Sequence, residues 1–181
     1  AKDITIVAGC DWAKKQDYTV LTCWDYSQRP FRMVGFMRFH HLKYTEQVVK
    51  VARFLDRFKE TEILYHDKTG VGEAIDDMLA QVPGLVYKGV TFTNASKSYM
   101  VNDAITLMEQ DGVLFPWWPN LQHEFEVFEV DTTELGNMRY QASEGNHDDI
   151  VFSSCLGLAA CLEHADMSFE VQFLEDLPNK K

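Results

Sequence analysis

Apolar residues recur at strand length in the first third of this chain and mostly at helical spacing afterwards. Ile4 to Cys10 is β-branched and almost continuously hydrophobic, the pattern of a strand buried on both faces. A polar stretch from Lys14 to Asp17 leads to a second strand, Tyr18 to Trp24. Gln28-Arg29-Pro30 marks a turn, and Phe31 to Phe39 predicts a third strand. Loops this short join antiparallel neighbours, so the three strands predict a meander. The period then changes. Val48, Val49, Ala52, Phe54 and Leu55 give helical spacing within a helix expected over Thr45 to Phe58.

Downstream, strands and helices alternate. Ile63 to His66 reads as a short strand ending at Asp67, and Gly70-Val71-Gly72 turns the chain into a helix from Glu73 to Gln81. Val86 to Phe92 predicts a strand and Lys97 to Gln110 a helix stopped by Asp111-Gly112. Leu114 to Pro119 is extended, Leu121 to Phe128 a short helix, and Val130 to Gln141 a hairpin turning at Gly136-Asn137. The last expected element is a helix from Asp148 to Glu163, with Asn146 as its N-cap, followed by a polar tail. Three antiparallel strands followed by alternating strands and helices define an α/β domain, its mixed sheet flanked by helices on both faces.

Size and composition keep this to one folded unit. The chain has 181 residues, 46% hydrophobic, with no repeat or low-complexity segment. We expect one domain over residues 1–168 and an acidic tail over 169–181. Cys10, Cys23, Cys155 and Cys161 sit in apolar runs without CxxC spacing, which argues against a disulfide frame or zinc site. No apolar stretch is long enough for a membrane span. The net charge is −11, but residues 1–97 carry 14 Lys or Arg against 12 Asp or Glu, and residues 98–181 carry 3 against 16. A surface for nucleic acid therefore belongs mainly to the N-terminal half.

The candidate chemistry is acidic. Asp11 ends the first strand, Asp67 ends the strand after the first helix, and Asp148-Asp149 opens the last helix. Singly, each has an ordinary use in a turn or a first helical turn. Jointly they suit a magnesium or manganese site, because these ions take oxygen ligands. Two such ions roughly 3.5–4 Å apart are the equipment of in-line phosphodiester displacement.

At these residues the chain resembles a known family. Gly9 to Ala13 with Asp17-Tyr18-Thr19, Tyr65 to Gly72, and Gly145 to Val151 are similar to the nuclease motifs of viral large terminase subunits, in the same order. The resemblance runs from about Ile4 to Ala160. It implies a ribonuclease H-like fold and endonucleolytic cutting of concatemeric phage DNA with two divalent cations, Mg²⁺ or Mn²⁺. It also implies that Asp11 bridges the ions, with Asp67 and Asp149 as further ligands and Asp148 assisting. The order of importance between Asp148 and Asp149 stays open. Family members carry an N-terminal ATPase domain, meet a portal and a small terminase subunit, and act on double-stranded DNA in the host cytoplasm. This chain has no GxxxxGK[ST], so it corresponds to the nuclease part. A Holliday-junction-resolvase-like nuclease and a non-catalytic docking module of the same fold are the alternatives.

Lys14, Lys15, Lys68, Lys97 and Arg139 are the residues proposed to touch DNA phosphates, Arg139 from the hairpin. Asp17 is read as closing a turn. His66 and His147 precede their aspartates and read as packed or exposed histidines. Trp117-Trp118 reads as covering a core edge.

Overall fold

The computed structural model describes residues 4–13, 17–58, 61–70, 72–132 and 138–175, with residues 166–175 as backbone alone. Strands β1 (Ile6–Asp11), β2 (Thr19–Asp25) and β3 (Phe31–Phe39) form the expected antiparallel meander. Helix α1 (Tyr44–Leu55) returns the chain, so that β4 (Thr61–Asp67) lies parallel to β1. Helix α2 (Gly72–Leu79) leads to β5 (Tyr87–Val90), parallel to β4. Next come α3 (Asn94–Glu109), a two-residue strand β6 (Val113–Leu114) parallel to β3, and α4 (Pro119–Glu126). Strands β7 (Phe128–Thr132) and β8 (Met138–Ala142) pair as a separate hairpin, and α5 (Asp149–Glu175) completes the chain. The sheet order is β5-β4-β1-β2-β3-β6.

Side-chain alternation divides the core. In β1, Ile6, Ala8 and Cys10 join Leu21, Leu64 and the inner faces of α1 and α2. Val7 points the other way, with Val20, Trp24 and Tyr65, toward α3, α4 and α5. Period 2 therefore sends Asp11 and Asp67, which continue the Val7 and Tyr65 parity, to the α5 side. Helices cover both faces, as the sequence predicts.

Differences from the sequence reading sit at element ends. Helix α3 starts at Asn94 rather than Lys97, because Thr93 caps it by accepting from Ser96 N at 3.1 Å. Leu114 to Pro119 holds only the end of β6 and then the start of α4. The turn at Gly136-Asn137 lies outside the described residues. Helix α5 runs to Glu175, past the expected end at Glu163. No glycine or proline occurs between Gly157 and Pro178 to stop it. Among the described residues no helix is long and apolar enough to cross a membrane.

Helix α5 packs unusually close to the sheet. A Cβ built on Gly9 would lie 2.2 Å from the Ser153 carbonyl oxygen, and one on Gly157 would lie 2.3 Å from Trp24 Nε1. Two bare backbones let the helix approach, and hydrogen bonds then fasten it. Ser153 Oγ donates to the Gly9 carbonyl at 2.9 Å, and Thr22 Oγ1 donates to the Ser153 carbonyl at 2.9 Å. All four residues are polar or small within a buried layer, so these bonds also satisfy groups that burial would leave unpaired.

Candidate metal centre

The register between β1 and β4 sets the first two carboxylates side by side. Cys10 is opposite His66 in this parallel pair, so the next residues, Asp11 and Asp67, leave the sheet together at its carboxyl end. The third arrives on α5, one turn before the Ser153 clamp. Asp11, Asp67, Asp148, Asp149 and Asp17 line one cavity of about 280 Å³, together with Thr69, Lys97 and the rings of Trp12, Phe92 and Phe152.

Backbone donors orient two of these acids. Asp67 Oδ1 accepts from Thr69 N at 2.7 Å, while Thr69 Oγ1 accepts from Phe92 N at 2.7 Å. Asp149 Oδ2 accepts from Tyr18 N at 3.3 Å and lies 3.6 Å from His147 Nδ1. Asp148 faces the hairpin, its Oδ2 accepting from Ala142 N at 3.2 Å. Asn146 is not the helix cap. It contacts His123 and Ser143, and the buried first-turn N–H of Ile150 is taken by Glu124 Oε2 at 2.8 Å.

Glu124 has no sequence signal, because its role exists only in the packed fold. It is buried on α4, with Arg38 Nη2 3.0 Å from its Oε1. This contact has ion-pair distance without hydrogen-bond geometry, since Glu124 Oε1 and Arg38 Nε both lack a hydrogen-bond partner. Arg38 in turn lies over the Tyr18 ring at 3.8 Å. A closed circuit results, from Asp149 through Tyr18, Arg38 and Glu124 back to Ile150.

Electrostatics define what the cavity accepts. Burial first, then the charges of Asp149, Asp67 and Asp148, raises the Asp11 carboxyl well above the usual carboxylate range, and Lys97 opposes this. Burial first pushes Asp149 up to about 7, with Glu124, Asp148 and Asp17 adding to it and the Tyr18 N–H opposing. Several acids therefore share a small space with one lining cation, and every anionic donor is an oxygen. That set fits a hard divalent cation and leaves no thiolate or imidazole in the lining to favour a softer one. Among the described residues no three or more His, Cys, Asp or Glu side chains stand close enough together to hold a metal ion as they are placed. The carboxylates line the cavity without converging on one point.

The other sequence candidates divide. Lys97 lines the cavity, its Nζ 4.1 Å from the Phe152 ring centroid. Lys68 does not; it pairs with Asp76 at 3.2 Å. Arg139 is exposed on β8 opposite Asp131, away from the cavity lining. Lys14 and Lys15 lie outside the described residues. Asp17, read as a turn former, also lines the cavity.

His66 turns to the opposite face from Asp67. Its Nδ1 accepts from Trp12 Nε1 at 3.1 Å, and its Nε2 lies 3.0 Å from Asp76 Oδ1, at ion-pair distance without hydrogen-bond geometry. Burial lowers its pKa, so the ring stays neutral and fixes Trp12 beside Asp11. Trp118 packs edge-on against Phe36, whereas Trp117 is 83% exposed.

Residues 8–160 match the family model described as the terminase RNase H-like domain. The chain belongs to that family. The terminase RNase H-like domain also has solved counterparts. The large terminase nuclease from thermophilic phage G20c, determined with bound magnesium, gives a TM-score of 0.80 at 25% identity, covering 88% of this chain and 82% of that one. The large terminase nuclease domain of Thermus phage P74-26 gives 0.72 at 23% identity, over 87% and 80%. A large terminase from another thermophilic bacteriophage gives 0.72 at 12% identity, over 90% of this chain and 41% of that one. No curated protein sequence is significantly similar. The terminase RNase H-like domain thus has the mixed sheet that brings the strand-end acids to one edge.

Proposed function

We propose that this domain is a divalent-metal-dependent endodeoxyribonuclease, the nuclease part of a phage DNA-packaging terminase large subunit. Its substrate is concatemeric double-stranded viral DNA, cut with little sequence preference. The observation that carries this reading is the placement of Asp11, Asp67 and Asp149, from two strands and a helix, around one acidic cavity in a terminase-family fold. The magnesium-bound G20c nuclease supports metal use at this fold. In this reading the partners are an N-terminal ATPase domain, a portal and a small subunit, and the work is done in the host cytoplasm.

Asp11, Asp67 and Asp149 would hold two Mg²⁺ or Mn²⁺ ions, with Asp148 assisting from the hairpin side. When bound, the cations supply positive charge to the phosphodiester and to an attacking water. The chain's own groups prepare the site. Thr69 N–H and Tyr18 N–H fix the directions of Asp67 and Asp149. Phe92 and Phe152 form an apolar wall that limits water, and Lys97 beside it brings a positive charge to the phosphate. Asp11→Asn removes the central anionic donor while preserving size. It is expected to abolish cleavage of supercoiled plasmid in Mn²⁺ with an unchanged far-ultraviolet circular dichroism spectrum. Undiminished cutting by a folded Asp11→Asn protein would end this reading.

A further inference from the structure

We infer that the flank formed by β3 and α1, outside the acidic cavity, is a second DNA-backbone contact surface. The inference takes DNA as substrate from the reading above, but it rests on different residues. Residues 29–57 carry seven Lys or Arg against two Asp or Glu, a local balance of +5 in a chain of net charge −11. Pairing sharpens the contrast. Among the described residues, Arg38, Lys68 and Lys88 have carboxylate partners, and Lys97 lies in the acidic cavity. Arg29, Arg32, Lys43, Lys50, Arg53, Arg57 and Arg139 have no carboxylate within ion-pair distance there, and five of them, Arg32, Lys43, Lys50, Arg53 and Arg57, belong to this flank.

The shape fits a polynucleotide. A groove of about 660 Å³ runs along α1, its floor formed by Met37, Leu42, Val49 and Phe54, with Lys50, Arg53 and Arg57 also lining it. These three bases follow i, i+3, i+7 spacing and so make one stripe on the helix. The stripe is roughly 10 Å long at 1.5 Å per residue. Aromatic rings hold two of the cations, Lys50 Nζ 5.5 Å from the Phe39 centroid and Arg57 Cζ 5.5 Å from that of Phe54. Glu46, the one acid in the lining, stands one turn before Lys50, and its Oε2 accepts from the Lys43 N–H at 2.9 Å.

A DNA strand alternates anionic phosphates with apolar deoxyribose, matching a cationic rim over an apolar floor. Positive residues also continue past the groove to Lys43 at one end and Arg32 at the other. An acidic peptide would be served by the groove alone, so the longer charged track favours DNA. Lys43 precedes the first residue of α1 at the same sheet edge as Asp11, because Phe39 is opposite Thr19 and Asp11 opposite Val20. The flank therefore leads away from the cavity and would hold duplex beyond the cut.

The test compares the 181-residue chain with its Lys50→Ala/Arg53→Ala/Arg57→Ala variant. Binding of a duplex of about 30 base pairs, the probe in this experiment, is followed by fluorescence anisotropy in chelator between about 50 and 200 mM salt. Each lost phosphate contact removes about 0.9 from the slope of log affinity against log salt. The expected result is a slope shallower by about 2–3 and at least ~10-fold weaker binding at low salt, with kcat for plasmid nicking at saturating DNA within about 2-fold. Equal slopes and affinities for the two proteins overturn the inference even if the parent cuts DNA. So does unchanged DNA binding alongside lost binding of poly-glutamate, which reassigns the groove to an acidic protein. A slope change in a chain whose Asp11→Asn variant still cuts would retain this surface and reject the catalytic reading.

Discussion

Glu124 shows how much of this site depends on a residue outside the cavity lining. Its carboxylate holds the N-terminus of α5 through Ile150 and Arg38 through charge, and Arg38 supports the ring of Tyr18, whose N–H holds Asp149. Burial raises the Glu124 pKa, opposed by the Ile150 N–H and Arg38, so the charged form depends on both partners. Removing one partner strands the other in a poorly solvated position, whereas removing both does not. Glu124→Ala is expected to cost about 3 kcal/mol. The Arg38→Ala/Glu124→Ala double variant is expected to cost clearly less than the two single losses added. Glu124→Gln, which keeps an acceptor for Ile150, should fall between wild type and Glu124→Ala. Urea denaturation of wild type and these variants, with Arg38→Ala alone, measures the coupling, and strictly additive losses would show that the pair does not act as a unit.

The elements explain why these residues meet, and they also separate what was readable in sequence from what was not. The boundaries of β3 are those expected from Phe31 and Phe39, because a turn and a clean apolar run bracket it. Asp11 and Asp67 were legible as strand-end acids, since strand length and period 2 fix their position. Glu124, Arg38 and the neutral His66 were not, because their partners are brought close only by packing of distant segments. Lys68 and Lys97 looked alike as loop and helix-start lysines, and the fold alone distinguishes them, Asp76 on α2 occupying the first while the second lines the cavity.

The close seat of α5 was equally invisible, since Gly9 and Gly157 resemble any glycine in an apolar run. A methyl group at Gly9 meets backbone atoms of α5, which cannot rotate away. Gly9→Ala should therefore displace the helix, destabilising the domain by about 3 kcal/mol or more. It should also lower cleavage at temperatures where the variant remains folded, because Asp149 moves with α5. Denaturation midpoints and nicking rates measured together test this; a fully stable, fully active Gly9→Ala would remove the clamp from the argument.

For the whole molecule, the acid cavity sets stability against function, and pH exposes the conflict. Asp149 has a folded-state pKa of about 7 against an ordinary value of 3.8, so the folded domain holds its proton more tightly than the unfolded chain. Between these values the native state binds the extra proton, and unfolding free energy falls as pH rises. The contribution is most favourable below about pH 4 and is lost as pH climbs through about 7. Asp11 acts in the same direction, its carboxyl also being raised by burial and its acidic neighbours. In chelator, the melting temperature of wild type should fall from about pH 5 to about pH 8 more steeply than that of Asp149→Asn. Mn²⁺ should reverse the loss at the alkaline end, because binding to the folded state alone adds about 2.7 kcal/mol at roughly 100 times the dissociation constant. It should also release protons near about pH 6.5, seen by calorimetry as heats that differ between buffers of different ionisation enthalpy. Parallel pH profiles for the two proteins, with no Mn²⁺ response in either, would mean that the cavity's charge is balanced without a metal.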